Sequence, residues 1–243
     1  MGRDRKAGFT LAEVLITLGI IGVVAALTLP ALINNIKAAE ISNRLKKMMS
    51  TMNNGAKLAK ANYDIDFSNI NAYCNANSAN DNPNERHSAC AIMNGVLSNA
   101  KYYYGTNNLT MVDGKPYKFT GYQANISSMK DFSKNPTYVL SDGSIIMFST
   151  WLGQKPCAGN DIESATLNAN GTRNGCYGII DVNGVKGPNK EVTCTSGTYN
   201  YYTNEIGNCI VDKNNIVDVY PFALYGDRVE LMSNAAAYVM WKW

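Results

Sequence analysis

The sequence predicts an α+β fold in which a long N-terminal helix, membrane-spanning in its first half, packs on a C-terminal antiparallel β-sheet domain. Three observations carry this expectation. An apolar run over residues 9–33 continues into a segment with helical periodicity. Past residue 62 the texture changes to Asn, Gly, Ser and Tyr with short β-prone runs between turn signals. No alternation of strand and helix follows, so a parallel βαβ architecture is excluded in favour of a sheet laid on the one long helix.

The apolar run is FTLAEVLITLGIIGVVAALTLPALI, with Glu13 its one ionisable side chain. It is long enough to cross a hydrocarbon core as a helix. Arg3, Arg5 and Lys6 precede it, so the positive-inside bias keeps the N-terminus cytoplasmic and sends the bulk of the chain across. Beyond it Ile33, Ile36, Ile41, Leu45, Met48, Met52, Ala56 and Ala59 recur at mostly helical spacing between basic residues. One helix over residues 9–61 is therefore expected, its second half carrying an apolar stripe for the globular domain. Pro30 removes a backbone donor inside this run and predicts a kink or local melting over residues 22–26.

The strands are read from their turns. Residues 138–148 form two β-prone runs around Asp142-Gly143, a hairpin signal. Residues 178–184 read as a strand running into Asn183-Gly184, and residues 217–225 with 228–231 as a final pair around Gly226-Asp227. Pro221 places the first member of that pair at an edge or a bulge. A short helix is expected within residues 91–104, with the tyrosines Tyr102, Tyr103 and Tyr104 as a packed surface or a contact patch.

All six cysteines lie beyond the apolar run, an even count confined to one side of it, which points to disulfides in an oxidising compartment. Nearest-neighbour pairing joins Cys74 to Cys90, Cys157 to Cys176 and Cys194 to Cys209. Each bond would close a loop of roughly 15–20 residues and stabilise by about 3 kcal/mol in the loop-entropy model. Spacing does not choose among the connectivities these cysteines allow.

The formal charge is +3, and without residues 1–8 it is +1, which gives no electrostatic case for nucleic acid as a main partner. Catalytic residues are not evident. The single histidine, His87, stands three residues before Cys90 and reads as a surface histidine beside a disulfide. No phosphate loop of the Walker type and no His-Glu-x-x-His helix is present. The chain is therefore expected not to be an enzyme.

The segment Gly8-Phe9-Thr10-Leu11-Ala12-Glu13-Val14-Leu15 closely resembles the processing and methylation signal of type IV pilins and type II secretion pseudopilins. The resemblance extends to Pro30 inside the long helix. It implies that a prepilin peptidase at the cytoplasmic face of the inner membrane cuts between Gly8 and Phe9 and methylates the new amine of Phe9. It further implies that Glu13 of one subunit neutralises the Phe9 terminus of another during assembly. Expected partners are other copies of the chain, other pilins or pseudopilins, the peptidase and an inner-membrane assembly platform.

On this reading residues 1–8 are a cleaved leader, 9–33 the transmembrane and assembly helix, 34–61 its amphipathic continuation and 62–243 a disulfide-containing periplasmic domain. Gly19, Gly22 and Ala26 would let neighbouring helices approach closely. The implied function is that of a structural subunit of a type II secretion pseudopilus or a type IV pilus. The alternative is a minor pilin or adhesin whose tyrosine-rich loops recognise a surface ligand, DNA or a secreted substrate.

A second, weaker resemblance, to a C-terminal pattern of uncharacterised pilin-like secretion proteins, runs through Asp142-Gly143, Asp181-Val-Asn183-Gly184, Gly187-Pro188-Asn189 and Asp218. Here a long insertion carrying Cys194 and Cys209 separates Asn189 from Val217, so the adjacency of those segments is in doubt. Some pseudopilins use calcium in this region, and Asp181, Asn183 and Asp218 offer oxygen ligands of the kind Ca2+ takes. The competing reading is that Asp181 and Asn183 only shape a turn.

Overall fold

A computed structural model describes residues 8–64, 67, 97, 100–105, 109–118, 136–148, 176–201 and 203–243. Helix α1 runs over Leu11–Tyr63. The strands are β1 (Lys101–Tyr104), β2 (Pro136–Val139), β3 (Ile145–Phe148), β4 (Cys176–Asp181), β5 (Val219–Tyr225) and β6 (Arg228–Leu231), and helix α2 spans Asn234–Lys242. The strands form one sheet in the order β1-β2-β3-β4-β5-β6, each antiparallel to its neighbour.

Helix α1 is about 80 Å long at 1.5 Å per residue. It starts at a capping box in which the Thr10 hydroxyl accepts from the Glu13 amide while the Glu13 side chain accepts from the Thr10 amide. It ends at Asp64 in the left-handed region, whose N–H donates to the Lys60 carbonyl. The expected melting at residues 22–26 is absent, since helix persists through Pro30. Of the expected stripe, Ile41, Leu45, Met48, Met52, Ala56 and Ala59 are buried, whereas Ile33 and Ile36 are exposed. The stripe begins at Ala38 because the sheet and α2 reach no further down the helix.

Side chains alternate between the two faces along the strands as the pleat requires, and both faces of β3 are covered. Ile146 and Phe148 of β3 face a core built with Leu45, Met48 and Met52 of α1, Phe222 of β5 and Ala236 of α2. Ile145 and Met147 face the other side, where Leu109, Tyr117, Ile179 and Val219 make a second, smaller core. Edge-on ring contacts join Tyr138 to Phe148 at 6.1 Å and Phe148 to Phe222 at 5.6 Å. Asn53 of α1 covers the β6 edge: its Oδ1 accepts from the Val229 amide at 2.9 Å and its Nδ2 donates to the Val229 carbonyl at 3.3 Å.

Both expected hairpins form. β2 and β3 are joined through Asp142 and Gly143, with Gly143 at φ 85°, and β5 and β6 through Gly226 at φ 57°. The short helix expected within residues 91–104 falls largely outside the described residues; the last four of them, Lys101–Tyr104, form a strand that places Tyr102 against Tyr138 at 5.4 Å. One expectation is corrected. β5 lies inside the sheet, so Pro221 is at neither an edge nor a bulge. Its missing donor is tolerated because the ladder with β6 extends from Phe222 onward, and at Pro221 only the carbonyl is used, accepting from the Met232 amide.

Helix α2 was not legible as an element. Ser233 caps it through the Ala236 amide, and Ala235, Ala236 and Val239 are buried on the same side of the sheet as α1. The insertion after Lys190 leaves the sheet and returns to it. It is closed by the Cys194–Cys209 disulfide, with Cα atoms 5.3 Å apart, and by bonds from the Thr195 amide to the Ile210 carbonyl and the Ile210 amide to the Ser196 carbonyl. Cys176 is also disulfide-bonded. The expected partners Cys157, Cys74 and Cys90 lie outside the described residues.

Candidate functional site

Two groups of residues were expected to carry function, and the fold treats them in opposite ways. At the start of α1, Phe9 is 89% exposed, and Leu11, Leu15, Ile16, Leu18, Ile20 and Ile21 are each exposed as well. Among the described residues this is the one helix long and apolar enough to cross a membrane, and none of its most apolar window is buried within the chain. A continuous apolar surface of this extent is far larger than a soluble monomer leaves in water. It requires lipid or other helices around it.

Glu13 sits in the first turn of this exposed helix. Its Oε2 accepts from the Thr10 amide at 2.8 Å and from the Thr10 hydroxyl at 2.9 Å. The expectation gave Glu13 a partner only in a neighbouring subunit; within its own chain it already closes the capping box. The signal was readable, since Thr10-x-x-Glu13 before an apolar run is the capping-box pattern. Gly8, Gly19 and Gly22 each have open space where a Cβ would stand, so intrachain packing demands glycine at none of them.

The second group is buried. Asp181 ends β4 and Asp218 immediately precedes β5, and the antiparallel pairing of Asp181 with Val219 brings the two carboxyls together. The doubted adjacency therefore exists: Asp218 accepts from the Asn189 amide at 2.8 Å and the Lys190 amide at 2.6 Å, on either side of the insertion's root. Asp181 accepts from the Tyr117 hydroxyl at 2.6 Å and from the amides of Asn183 and Gly184 at 3.2 and 2.7 Å. Asn183 donates to the Gly187 carbonyl and its side chain also bonds Asp218. Gly184, at φ 60°, lies against the Gly143 carbonyl, where a Cβ would come within 2.0 Å; no other residue fits.

Burial pushes the Asp181 carboxyl well above its ordinary value, and the nearby Asp218 charge adds to this against the hydrogen bonds that favour the ion. Burial raises Asp218 too. All four carboxylate oxygens of the pair accept from N–H or O–H groups. A calcium ion takes six to eight oxygen ligands, more than the four carboxylate oxygens and the Asn183 amide oxygen supply by themselves. The hydrogen bonds observed here are those of carboxylates that shape turns. Among the described residues no group of three His, Cys, Asp or Glu side chains is placed to hold a metal.

Residues 3–29 match the family model described as the prokaryotic N-terminal methylation motif, the signature of type IV pilins and pseudopilins. The match covers Gly8, Phe9 and Glu13 and stops just before Pro30. No curated protein and no solved structure matches the chain. The long helix leading into an antiparallel six-stranded sheet is a pilin-like α+β arrangement. Motif and architecture together resemble those of pilin-like proteins, and the apolar helix fits inner-membrane anchoring.

Proposed function

We propose that the chain is a structural subunit of a type II secretion pseudopilus or a type IV pilus, cut between Gly8 and Phe9 by a prepilin peptidase, methylated on Phe9 and assembled through α1. The single observation that carries this reading is the methylation motif at residues 3–29 set on a helix whose apolar surface finds no cover in its own chain. Open space around Gly8 supports the cleavage proposal, because glycine there answers to no fold requirement and suits a peptidase that must close on the backbone.

Assembly follows from the same surface. Copies of α1 laid side by side bury it, and Gly19 and Gly22, with no intrachain neighbour, permit close approach. A methylated Phe9 amine brings a positive charge to the depth of Glu13 in the next subunit. Structural pilin subunits are in general not enzymes, and their partners are other pilins, the peptidase and the inner-membrane assembly platform. The recognition alternative would be favoured by exposed tyrosines. Tyr102, Tyr199 and Tyr201 are instead half-buried, with Tyr102 and Tyr199 packed on the main core.

Intact-mass analysis and peptide mapping of membrane-extracted protein test the proposal. The expected mature chain starts at Phe9 and carries one methyl group. A terminus near Thr28 or Leu32 would instead identify an ordinary secretory signal and remove the assembly helix.

A further inference from the structure

Between α1 and the chain that follows the Cys194–Cys209 bond lies a cleft of about 440 Å³, lined by Ala31, Asn34 and Asn35 on the helix and by Ile210, Lys213 and Trp243 opposite. Its position along α1 is fixed by two cross-links. Asn34 Nδ2 donates to Asn214 Oδ1 at 2.7 Å, and Lys213 Nζ donates to Asn35 Oδ1 at 3.3 Å. Trp243 is held there by its indole N–H on the Val211 carbonyl at 3.1 Å. The cleft thus opens at the level where the apolar run ends and the first amide side chains appear.

That level can be placed against a bilayer. The run over residues 9–33 is about 37 Å long as a helix, against a hydrocarbon core of roughly 30 Å, with headgroup layers of about 5–7 Å on each side. When residues 9–33 span the membrane, residues 31–35 stand in the headgroup layer on the side of the sheet domain. No spacer separates that domain from the lipid, and its lowest residues must share the layer with phosphates and glycerols. The groups displayed suit this place. Tyr238 and Trp243 are half-buried amphipathic rings, Ile210 is 50% exposed, and Lys213 is a cation beside them. Lys213 has three donors, of which one is directed at Asn35. Asp212, the acidic side chain among the described lining residues, is exposed and accepts from the amide and side chain of Asn214 through one of its oxygens.

We propose that this cleft is a phospholipid-headgroup site, so that the membrane-stored subunit rests the disulfide-closed loop on the leaflet its helix emerges from, with Lys213 and the Asn34 and Asn214 amides facing a lipid phosphate. The inference rests on the reading that residues 9–33 span the membrane. It goes beyond that reading by assigning the sheet domain a fixed, lipid-bound orientation before any filament forms.

The test uses the full chain with Trp151→Phe and Trp241→Phe, leaving Trp243 as the one emitter, reconstituted in phosphatidylethanolamine and phosphatidylglycerol vesicles. Lipids spin-labelled at the headgroup or at the chain terminus are added in turn, and retention through a carbonate wash is measured in parallel. The expected result is retention, with a loss of Trp243 emission that is larger for the headgroup label than for the chain-end label. That loss shrinks in a further Ile210→Asp variant whose melting curve is unchanged. A retained chain with no headgroup quenching overturns the cleft proposal and leaves the span intact. So does Trp243 shielding that depends on the protein-to-lipid ratio, which would assign the cleft to a neighbouring subunit. A chain stripped by carbonate overturns the span and the cleft together.

Discussion

The two halves of α1 are one unbroken helix, yet their apolar side chains meet opposite fates. Leu11 is 80% exposed and Leu45 is fully buried. The lower half offers apolar residues all round and polar ones almost nowhere, so one sheet could never cover it. The upper half concentrates them on the stripe through Ala38, Leu45, Met52 and Ala59, with Lys46, Lys47, Lys57 and Lys60 between, and a single sheet face suffices. A residue's energetic role in this helix therefore depends on which cover its half was patterned for: lipid and neighbours below, the chain's own sheet above.

The sharpest way to break that comparison is a pair of matched truncations. Leu45→Ala should destabilise the sheet domain by about 2–5 kcal/mol, as for a buried leucine. Leu18→Ala should leave its melting curve where it was. Thermal melts of the detergent-solubilised full chain decide it, and a shift with Leu18→Ala would mean that the lower half has a fold partner after all.

Cys194→Ser with Cys209→Ser should lower stability by about 3 kcal/mol, given the 15-residue separation. The same variant should weaken the strap of the insertion onto Asn34 and Asn35, which is where the two halves of the helix meet. Limited proteolysis around residues 195–214 reads that loosening. Equal resistance to protease would show that the cross-strand bonds of Thr195, Ser196 and Ile210 hold the loop alone.

A smaller effect comes from pH, and its sign differs between two carboxyl sites of the sheet domain. Asp181 and Asp218 lie above their ordinary value of 3.8, chiefly through burial. The folded state binds their protons more readily than the unfolded chain, so their contribution is complete below 3.8 and is lost as pH rises through the folded values. Burial acts upward on Asp142 as well, but bonds from Lys47 and Ser144 prevail and hold it at about 2. Its contribution is present above 3.8 and is lost as pH falls toward 2. Thermal midpoints from pH 7 down to about pH 4 should therefore rise more in the wild type than in Asp218→Asn. A chelator at neutral pH should leave both midpoints unchanged, and a drop on chelation would restore calcium to the site.

The smallest expected effect on the fold, and the largest on assembly, belongs to Glu13. Glu13→Gln keeps a residue able to close the capping box with Thr10 but removes the charge, whereas Glu13→Val removes both. Neither should move the melting curve of the sheet domain. If Glu13 serves mainly as the counter-charge of a neighbour's Phe9, both variants should lose sheared-filament yield equally. If the cap is what matters, at about 0.5–2 kcal/mol, the Gln variant should keep its yield.

By itself the sequence determined much of what is encoded locally. The methylation motif around Gly8 to Glu13, the length of α1, the stripe from Ile41 to Ala59 and the turns at Asp142-Gly143 and Gly226-Asp227 each depend on residues within a few positions of one another. Only the tertiary structure decided the rest. It decided that Tyr102 pairs in a strand, that Pro221 can sit inside the sheet because β6 stops beside it, and that the alanine-rich segment after Ser233 is a helix wedged against α1. It also decided that Asp181 and Asp218 meet across the root of an insertion. Each of these depends on groups distant in sequence arriving together, and period and spacing report only what near neighbours require.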